Sequence, residues 1–402
     1  MSAYNPHQKW SFWPVLLLAF IFALISPLIM IATPIYFFQQ GVQIKIISFL
    51  STAITITYSF SPIILNKISN KLGRKNSVII ATIGAAVAQF TYYITLDPLV
   101  FLLERLFEGF ILGFFFPNLL ASISDNPNLD HSKYLAKFNL SWSLATVFGL
   151  TLGTIILLFT NNLKVIFYIS PIFLLINVFI AILFLKEPIE SNNIANNPGS
   201  INVEESGLKI LNQLDIPPVK FFIPVIIPVV YLLALSFASA NVSFLYPIKS
   251  EILGFQVFSV YFLGIFSTSM QSLIMYIVGL INVKKLKLIS IISVLIYVIL
   301  VIFFAINKTY YIFLILFIIS GTLAGIMYGT ASKLFILLNV SRQTSIYSSI
   351  SESLLGVAYF ISQVSLGFVA DIELGLAFYS LSLIMFILFL ISVIYIRKLK
   401  EI

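Results

Sequence analysis

Long apolar stretches separated by short polar breaks dominate the chain, and each stretch is long enough to cross a membrane as a helix. A bilayer core needs about 20 consecutive apolar residues in helical form. The first stretch exceeds the apolar region of a secretory signal peptide and lacks a small-residue cleavage site, so we interpret it as a retained helix. The pattern predicts twelve helices, at residues 12–38, 44–66, 77–96, 98–121, 138–160, 164–186, 221–247, 257–280, 288–306, 310–337, 347–370 and 374–396.

A polar segment rich in asparagine and acidic residues interrupts this rhythm at residues 187–218. It predicts a six-helix bundle at 1–186, a cytoplasmic linker at 187–218 and a second six-helix bundle at 219–402. Within the linker, residues 207–216 fit either a short amphipathic helix on the membrane surface or a disordered connection, and the sequence leaves both open.

The two halves align with each other at a nearly constant offset of 212 to 214 positions. Pro34 aligns with Pro247 at the ends of helices 1 and 7, and Lys71 aligns with Lys284 between the second and third helices of each half. A constant offset across six helices indicates an internal duplication. We therefore predict an all-α membrane protein in which two six-helix bundles are related by a pseudo-twofold axis.

The composition excludes a soluble enzyme, because 60% of the 402 residues are apolar and 9% are charged, whereas soluble domains carry about 25% charged residues. The chain has no cysteine, so disulfides, iron–sulfur clusters and thiolate metal sites are excluded. The motifs that mark zinc proteases, nucleotide phosphate loops and dinucleotide folds do not occur. We expect no enzymatic activity and no metal or other cofactor.

The basic residues are placed as a membrane topology requires, although their excess of 23 over 15 acidic residues could suggest nucleic-acid binding. With both termini on the cytoplasmic side, 18 basic residues fall on the inner side, four on the outer side and one inside a helix. Cytoplasmic loops of membrane proteins carry such an excess. The distribution predicts an integral protein of a cytoplasmic-type membrane with both termini cytoplasmic and no nucleic-acid partner.

The segment after helix 2 reads NKISNKLGRK, from Asn66 to Lys75. It resembles the signature of the major facilitator superfamily between helices 2 and 3, with Asn66 at the position of the first glycine and Asn70 at that of an aspartate. The resemblance implies the fold of those secondary transporters. It also implies a conformational latch in which the aspartate position contacts the N-terminus of helix 11, formed here by Asn70, Lys71, Gly73, Arg74 and Lys75. The alternative is a basic loop that only fixes topology.

Helix 4 contains Arg105, Glu108, Gly109, Gly113 and Pro117, and it resembles the helix-4 pattern of the same superfamily with Glu108 in place of a glutamine. Its small residues at spacings of four predict close helix packing, as do Gly321, Gly325 and Gly329 of helix 10. Helix 5 departs from the signature of the exporters in the family, since Leu150 follows Gly149 where those proteins have a proline.

Charged side chains inside a membrane are costly, and helix 4 holds Glu104, Arg105 and Glu108 on one face. One guanidinium cannot neutralise two carboxylates, and burial disfavours the ionised form of the second. We predict that these residues couple transport to protons, with Arg105 either the partner of a glutamate or an anchor for an anionic solute. The alternative is a structural cluster between helices. Glu352, near the start of helix 11, is interpreted as a partner of the helix dipole.

A solute site between the halves would lie near the membrane midplane. The expected function is alternating-access transport of a small amphipathic or anionic organic solute, proton-coupled, by a monomer, with export favoured and another coupling ion left open. The alternatives are an uptake symporter or facilitator for a sugar or organic acid, and a membrane sensor without transport activity. The polar or amphipathic residues predicted to line the site are Tyr36, Gln89, Asn118, Trp142, Asn241, Tyr246, Gln271, Tyr328 and Gln363.

Overall fold

The computed structural model describes residues 11–124, 131–187, 221–342, 346–396 and 400–401. The predicted linker lies almost wholly outside the described residues, as does the amphipathic helix considered at 207–216. The helices of the first half are α1 (Trp13–Gln39), α2 (Ile44–Leu72), α3 (Arg74–Phe90), α4a (Pro98–Ile111), α4b (Phe116–Ser124), α5 (His131–Thr160) and α6 (Lys164–Leu183). Those of the second half are α7a (Ile226–Ala240), α7b (Tyr246–Ile252), α8 (Phe258–Leu280), α9 (Val283–Ile306), α10 (Tyr310–Arg342), α11 (Ile346–Ile372) and α12 (Leu374–Ile396).

The fold is that of an all-helical membrane protein, and the prediction of twelve helices is confirmed. Within the described residues, ten helices are long and apolar enough to be candidate membrane spans. Large apolar side chains are exposed along these helices, as expected where lipid is the solvent: Ile63 of α2 is 70% exposed and Leu280 of α8 is 73% exposed. The only strands in the described part of the chain are β1 (Phe221–Phe222) and β2 (Lys400–Glu401), which pair antiparallel.

Two predicted helices are interrupted at prolines. Helix 4 passes through a 3-10 turn at Leu112–Phe114 before Pro117, and helix 7 passes through a π-helical turn at Asn241–Leu245 before Pro247. A proline has no N–H to donate to the carbonyl four residues earlier, so one backbone hydrogen bond of the helix is lost there, although α2 and α6 continue through Pro62 and Pro171. Helix 7 nevertheless forms one candidate membrane span, Ile226–Ile252, so the predicted helix is present with a local change in its winding.

The connection between helices 2 and 3 is shorter than predicted, because α2 continues to Leu72 and α3 begins at Arg74. Gly73 is the single residue between them, with a φ of 85° that favours glycine. The basic motif is therefore the last two turns of α2 and the first turn of α3, and not an extended loop.

Contacts divide the chain into two compact units. Unit 1 comprises residues 1–29, 60–149 and 164–201, and unit 2 comprises residues 30–59, 150–163 and 202–402. Both units therefore contain parts of α1, α2 and α5. The predicted bundles at 1–186 and 219–402 follow the internal repeat and stay a prediction.

Glycines allow close packing inside each unit. In unit 1 a methyl group on Gly113, in the turn that follows α4a, would overlap Ser61 of α2, and one on Gly149 of α5 would overlap the carbonyl of Leu24 in α1. In unit 2 a methyl group on Gly321 of α10 would overlap the backbone of α8 at residue 267. The small residues thus serve helix packing, as the sequence indicated.

Candidate functional site

A cluster of buried polar side chains lies between α3 and α4a in unit 1. Asp97 caps α4a by accepting hydrogen bonds from the backbone N–H groups of the second and third residues after it, and Pro98 occupies the first helical turn. This start fixes the helix so that Glu104, Arg105 and Glu108 are all buried. The structure therefore brings the three predicted coupling residues together.

The cluster is held by short hydrogen bonds and one ion pair. Arg105 Nη1 lies 2.5 Å from Glu108 Oε2, and Gln89 Nε2 donates to Glu108 Oε1 at 2.8 Å. The Tyr92 hydroxyl donates to Glu104 Oε2 at 3.1 Å. The exposed fractions of Glu104, Arg105 and Glu108 are 5%, 7% and 1%. Water therefore contributes little to the neutralisation of these charges.

The two carboxylates differ in their partners. Glu108 has both the guanidinium and the Gln89 amide, whereas Glu104 has one neutral donor, and its Oε1 has no hydrogen-bond partner among the described residues. A buried carboxylate without a counter-ion is costly when ionised and much less so when protonated. Chemically, the arrangement can hold one more proton than the ion pair alone requires.

A second network surrounds the basic motif in unit 1. Arg74 Nη1 donates to Asn70 Oδ1 at 3.2 Å and to Asn118 Oδ1 at 3.3 Å. A serine hydroxyl one turn before the end of α2 donates to the same Asn118 oxygen at 2.6 Å. Asn118, predicted to line the solute site, is 1% exposed in this network. Lys71 is exposed and Lys75 half-buried.

Glu187 is a member of this network that the sequence analysis had assigned only to the acidic linker. Its carboxylate accepts hydrogen bonds from the backbone N–H groups of Arg74 at 2.6 Å and Lys75 at 2.8 Å, which are the first two residues of α3. A carboxylate at a helix N-terminus satisfies free N–H groups and interacts favourably with the helix dipole. The sequence did contain a signal for this contact. An acid directly follows the predicted helix 6, and Gly73, at the start of helix 3, has no side chain that could cap the helix.

The remaining predicted lining residues of unit 1 are Gln89, which belongs to the helix-4 cluster, and Trp142 of α5. Trp142 is half-buried, and its ring contacts Phe116 edge-on at 5.0 Å between centroids. The structure does not join Gln89, Asn118 and Trp142 in one site, since the first two bond in different networks.

In unit 2, Asn241 lies in the π-helical turn of helix 7 and donates to the Tyr297 hydroxyl at 3.3 Å. Tyr246 has no exposed surface and packs against three phenylalanine rings, and its hydroxyl has no partner among the described residues. Tyr36 is buried beside the neighbouring phenylalanine ring. Gln363 of α11 is buried with its Oε1 unpartnered within the described part of the chain. Their role in solute binding stays a prediction.

Gln271 of α8 and Tyr328 of α10 are half-buried. The carbonyl of Gln271 lies against Gly325, one turn before Gly329, so this segment of α8 serves helix packing whatever its side chain contacts. Among the residues that the structure describes, no group of three histidines or acids is placed to hold a metal ion.

Comparison with known proteins agrees with this architecture. The sequence profile of the Major Facilitator Superfamily matches residues 15–363. The fold is similar to a crystal structure of a point mutant of the nucleoside transporter NupG, with a TM-score of 0.71 and 14% identity over 96% of this chain and 99% of that one. It is also similar to the xylose transporter XylE from E. coli in a partially occluded inward-open conformation, with a TM-score of 0.69 and 11% identity over 96% and 99%. No protein of curated function matches the sequence.

The match to the superfamily profile covers most of the chain, and the structural likeness extends over nearly all of it. Both agree with a helical protein that carries the basic motif at the junction of α2 and α3. The chain therefore belongs to the Major Facilitator Superfamily and is a secondary transporter of a small solute, not an enzyme.

Proposed function

We propose that this protein couples the movement of a small amphipathic organic solute to protons, with export as the favoured direction. The observation that carries the proposal is the buried pairing of two carboxylates with one guanidinium in α4a. Such a cluster would be costly if its only role were packing, because apolar side chains of similar volume pack as well or better.

Glu104 is the better candidate for the proton carrier, and Glu108 for the fixed anion. Glu108 forms the ion pair with Arg105 and accepts from Gln89, so protonating it would break the pair. Among the described residues, Glu104 accepts only from the neutral Tyr92 hydroxyl, so it can gain or lose a proton while the ion pair persists. Gain and loss of this proton in the two conformations would couple the proton gradient to the solute.

Amphipathic solutes are favoured over anionic ones because Arg105 is already engaged. Its Nη1 is 2.5 Å from Glu108, and only 7% of the residue is exposed. An organic anion would have to displace a buried carboxylate from the guanidinium. The half-buried rings of Phe116 and Trp142, which contact each other edge-on, suit an apolar portion of the solute.

The residues around Gly73 are proposed to act as a conformational latch. Arg74 joins the end of α2 to α4b through Asn70 and Asn118, and Glu187 fixes the start of α3. These contacts would be made or broken as α2 and α3 move relative to α4b. Together with the three lysines of the motif, they also keep the predicted cytoplasmic side basic.

Transport into proteoliposomes tests the proposal, with a solute first selected by a thermal-shift screen. Glu104→Gln should abolish accumulation driven by a pH gradient and retain exchange of solute down its own gradient. Glu373→Gln, which removes a carboxylate from an exposed position after α11, is the matched control and should behave as the unmodified protein. Undiminished gradient-driven accumulation in both Glu104→Gln and Glu108→Gln would remove the cluster from coupling.

A further inference from the structure

Glu352 and three tyrosines lie within electrostatic range of one another inside unit 2 and have no part in the helix-4 cluster. We infer that Glu352, Tyr58, Tyr328 and Tyr359 form a subsite for the positively charged group of an organic cation. This inference rests on the proposed function as a transporter of an amphipathic solute, and it names the charge of that solute.

Glu352 lies in the second turn of α11, six residues after the helix begins at Ile346. The influence of the helix dipole falls off within the first turn, so the interpretation of Glu352 as a dipole partner explains little of its placement. Tyr359 follows seven residues later, which puts it on the same face of α11 about 10 Å along the axis.

Close packing of α2 on α11 brings the second tyrosine to this face. A methyl group on Gly356 of α11 would overlap the Ser59 hydroxyl of α2, so the two helices touch one turn beyond Glu352. Tyr58 is the neighbour of Ser59 in α2 and lies within electrostatic range of the Glu352 carboxylate.

The third tyrosine comes from α10. Tyr328 is half-buried and also lies within electrostatic range of both Glu352 and Tyr359. Tyr359 in turn forms a 3.2 Å hydrogen bond with the Ser239 hydroxyl of α7a. Three helices, α2, α10 and α11, therefore contribute tyrosines to the surroundings of a single carboxylate, and α7a bonds to one of these tyrosines.

Glu352 has no cationic partner within the described residues. The ion pairs there are Arg105 with Glu108 and Lys45 with Asp371, and none involves Glu352. The basic residue of α10 closest in sequence to Tyr328 is Lys333, and its Nζ donates to the backbone carbonyls at positions 279 and 281.

The Glu352 side chain is exposed, whereas Gly356 one turn further along α11 is buried against α2, so the carboxylate lies at the edge of a tight contact between these helices. A ligand can therefore reach it, and among the described residues no basic side chain is paired with it. This placement distinguishes Glu352 from Glu104 and Glu108, which are enclosed.

An anionic group surrounded by aromatic side chains is the chemistry that binds ammonium, phosphonium and related cations. The carboxylate supplies the opposite charge, and tyrosine ring faces attract a cation through their quadrupole. The tyrosine hydroxyls can hydrogen-bond to polar groups on the same molecule. An organic anion would be repelled by Glu352, and an uncharged sugar would leave its charge unpaired.

Two probes of nearly the same shape and opposite charge test the inference: tetraphenylphosphonium and tetraphenylborate. Binding to the full chain in nanodiscs is measured calorimetrically, with empty nanodiscs subtracted. Benzyltrimethylammonium serves as a second, smaller cation. The unmodified protein should bind tetraphenylphosphonium at least about tenfold more tightly than tetraphenylborate. Glu352→Gln should lower the affinity for both cations by about 10- to 100-fold and leave the affinity for tetraphenylborate undiminished.

Two variants keep this result interpretable. Glu352→Asp should retain part of the cation preference, and Glu373→Gln should retain all of it. The inference is overturned if neither cation is preferred by the unmodified protein, or if Glu352→Gln leaves the affinity for both cations unchanged. A Glu352→Gln protein that loses pH-driven transport but keeps its cation preference also overturns it, since Glu352 would then be a proton site.

Failure of this inference can be told apart from failure of the proposed function. Absence of a cation preference, with uptake of an uncharged solute still dependent on Glu104, would overturn the subsite and leave proton coupling in place. A cation preference that depends on Glu352, with no effect of the pH gradient, would overturn proton coupling and leave the subsite.

Discussion

The helix-4 cluster predicts that two neighbouring glutamates respond differently to the same substitution. Glu108→Gln removes the carboxylate from a buried ion pair whose atoms are 2.5 Å apart. Breaking a buried pair by deleting one partner costs about 3–5 kcal/mol, because the remaining charge is left uncompensated. Glu104 lies one helical turn before Glu108 and can ionise to supply a substitute charge to Arg105. We therefore expect a loss of stability at the low end of this range, about 3 kcal/mol.

Glu104→Gln removes no partner from Arg105. The amide oxygen of glutamine can still accept from the Tyr92 hydroxyl, which bonds Glu104 at 3.1 Å. We expect the free energy of unfolding to change by less than about 1 kcal/mol, so the two variants should differ by about 2 kcal/mol or more. The double variant leaves Arg105 without any carboxylate and should be less stable than either.

The assay is reversible unfolding of the purified protein in mixed micelles, followed by circular dichroism, with Glu373→Gln as the exposed control. Equal destabilisation by Glu104→Gln and Glu108→Gln would refute the reasoning, because it would mean that both carboxylates are ionised and neutralised to the same extent. A stabilised Glu108→Gln would refute it more directly, since the ion pair would then be dispensable.

Three further predictions concern topology, the basic motif and α2. In this cysteine-free chain, Asn76→Cys and Thr309→Cys are both exposed and should react with impermeant reagents from opposite sides of the membrane, whereas reaction from one side would contradict the topology. Gly73→Ala should destabilise the protein by about 1–2 kcal/mol in thermal unfolding, because φ is 85° and the new methyl carbon would lie 2.6 Å from Glu187 Oε1. Asp371→Asn should lower the free energy of unfolding by about 0.5–1 kcal/mol through loss of a half-exposed ion pair at the start of α2, and no change would show that solvent screens the pair completely.

The sequence by itself determined the helices and their number. Apolar length and the spacing of polar breaks are local properties, and a bilayer requires every backbone polar group of a span to be satisfied within its own helix. The start of α12 was predicted at residue 374 and lies at Leu374, whereas α2 runs six residues beyond its predicted end. The polar and charged residues after position 66 do not end α2, whereas Gly73 does because its φ of 85° is not helical.

The presence of a buried charged cluster in helix 4 could also be predicted, because charged residues in an apolar helix are rare and costly. Its division into an ion pair and a separate carboxylate could not. That division depends on Gln89 and Tyr92, at the end of α3 and just after it, which lie 19 and 12 residues away from their partners in the chain. Which neighbours a buried charge finds is decided by packing between helices, and the sequence pattern of one helix does not contain it.

Tertiary structure alone decided the surroundings of Glu187 and Glu352. Glu187 bonds to the start of α3 across a sequence separation of 113 residues, and in sequence it is one acid among several in a polar stretch. Glu352 lies within electrostatic range of tyrosines of α2 and α10, and the buried Gly356 lets α11 approach α2 closely. Hydrophobicity places each helix in the membrane, but only the packing of side chains between helices determines which polar groups share a site.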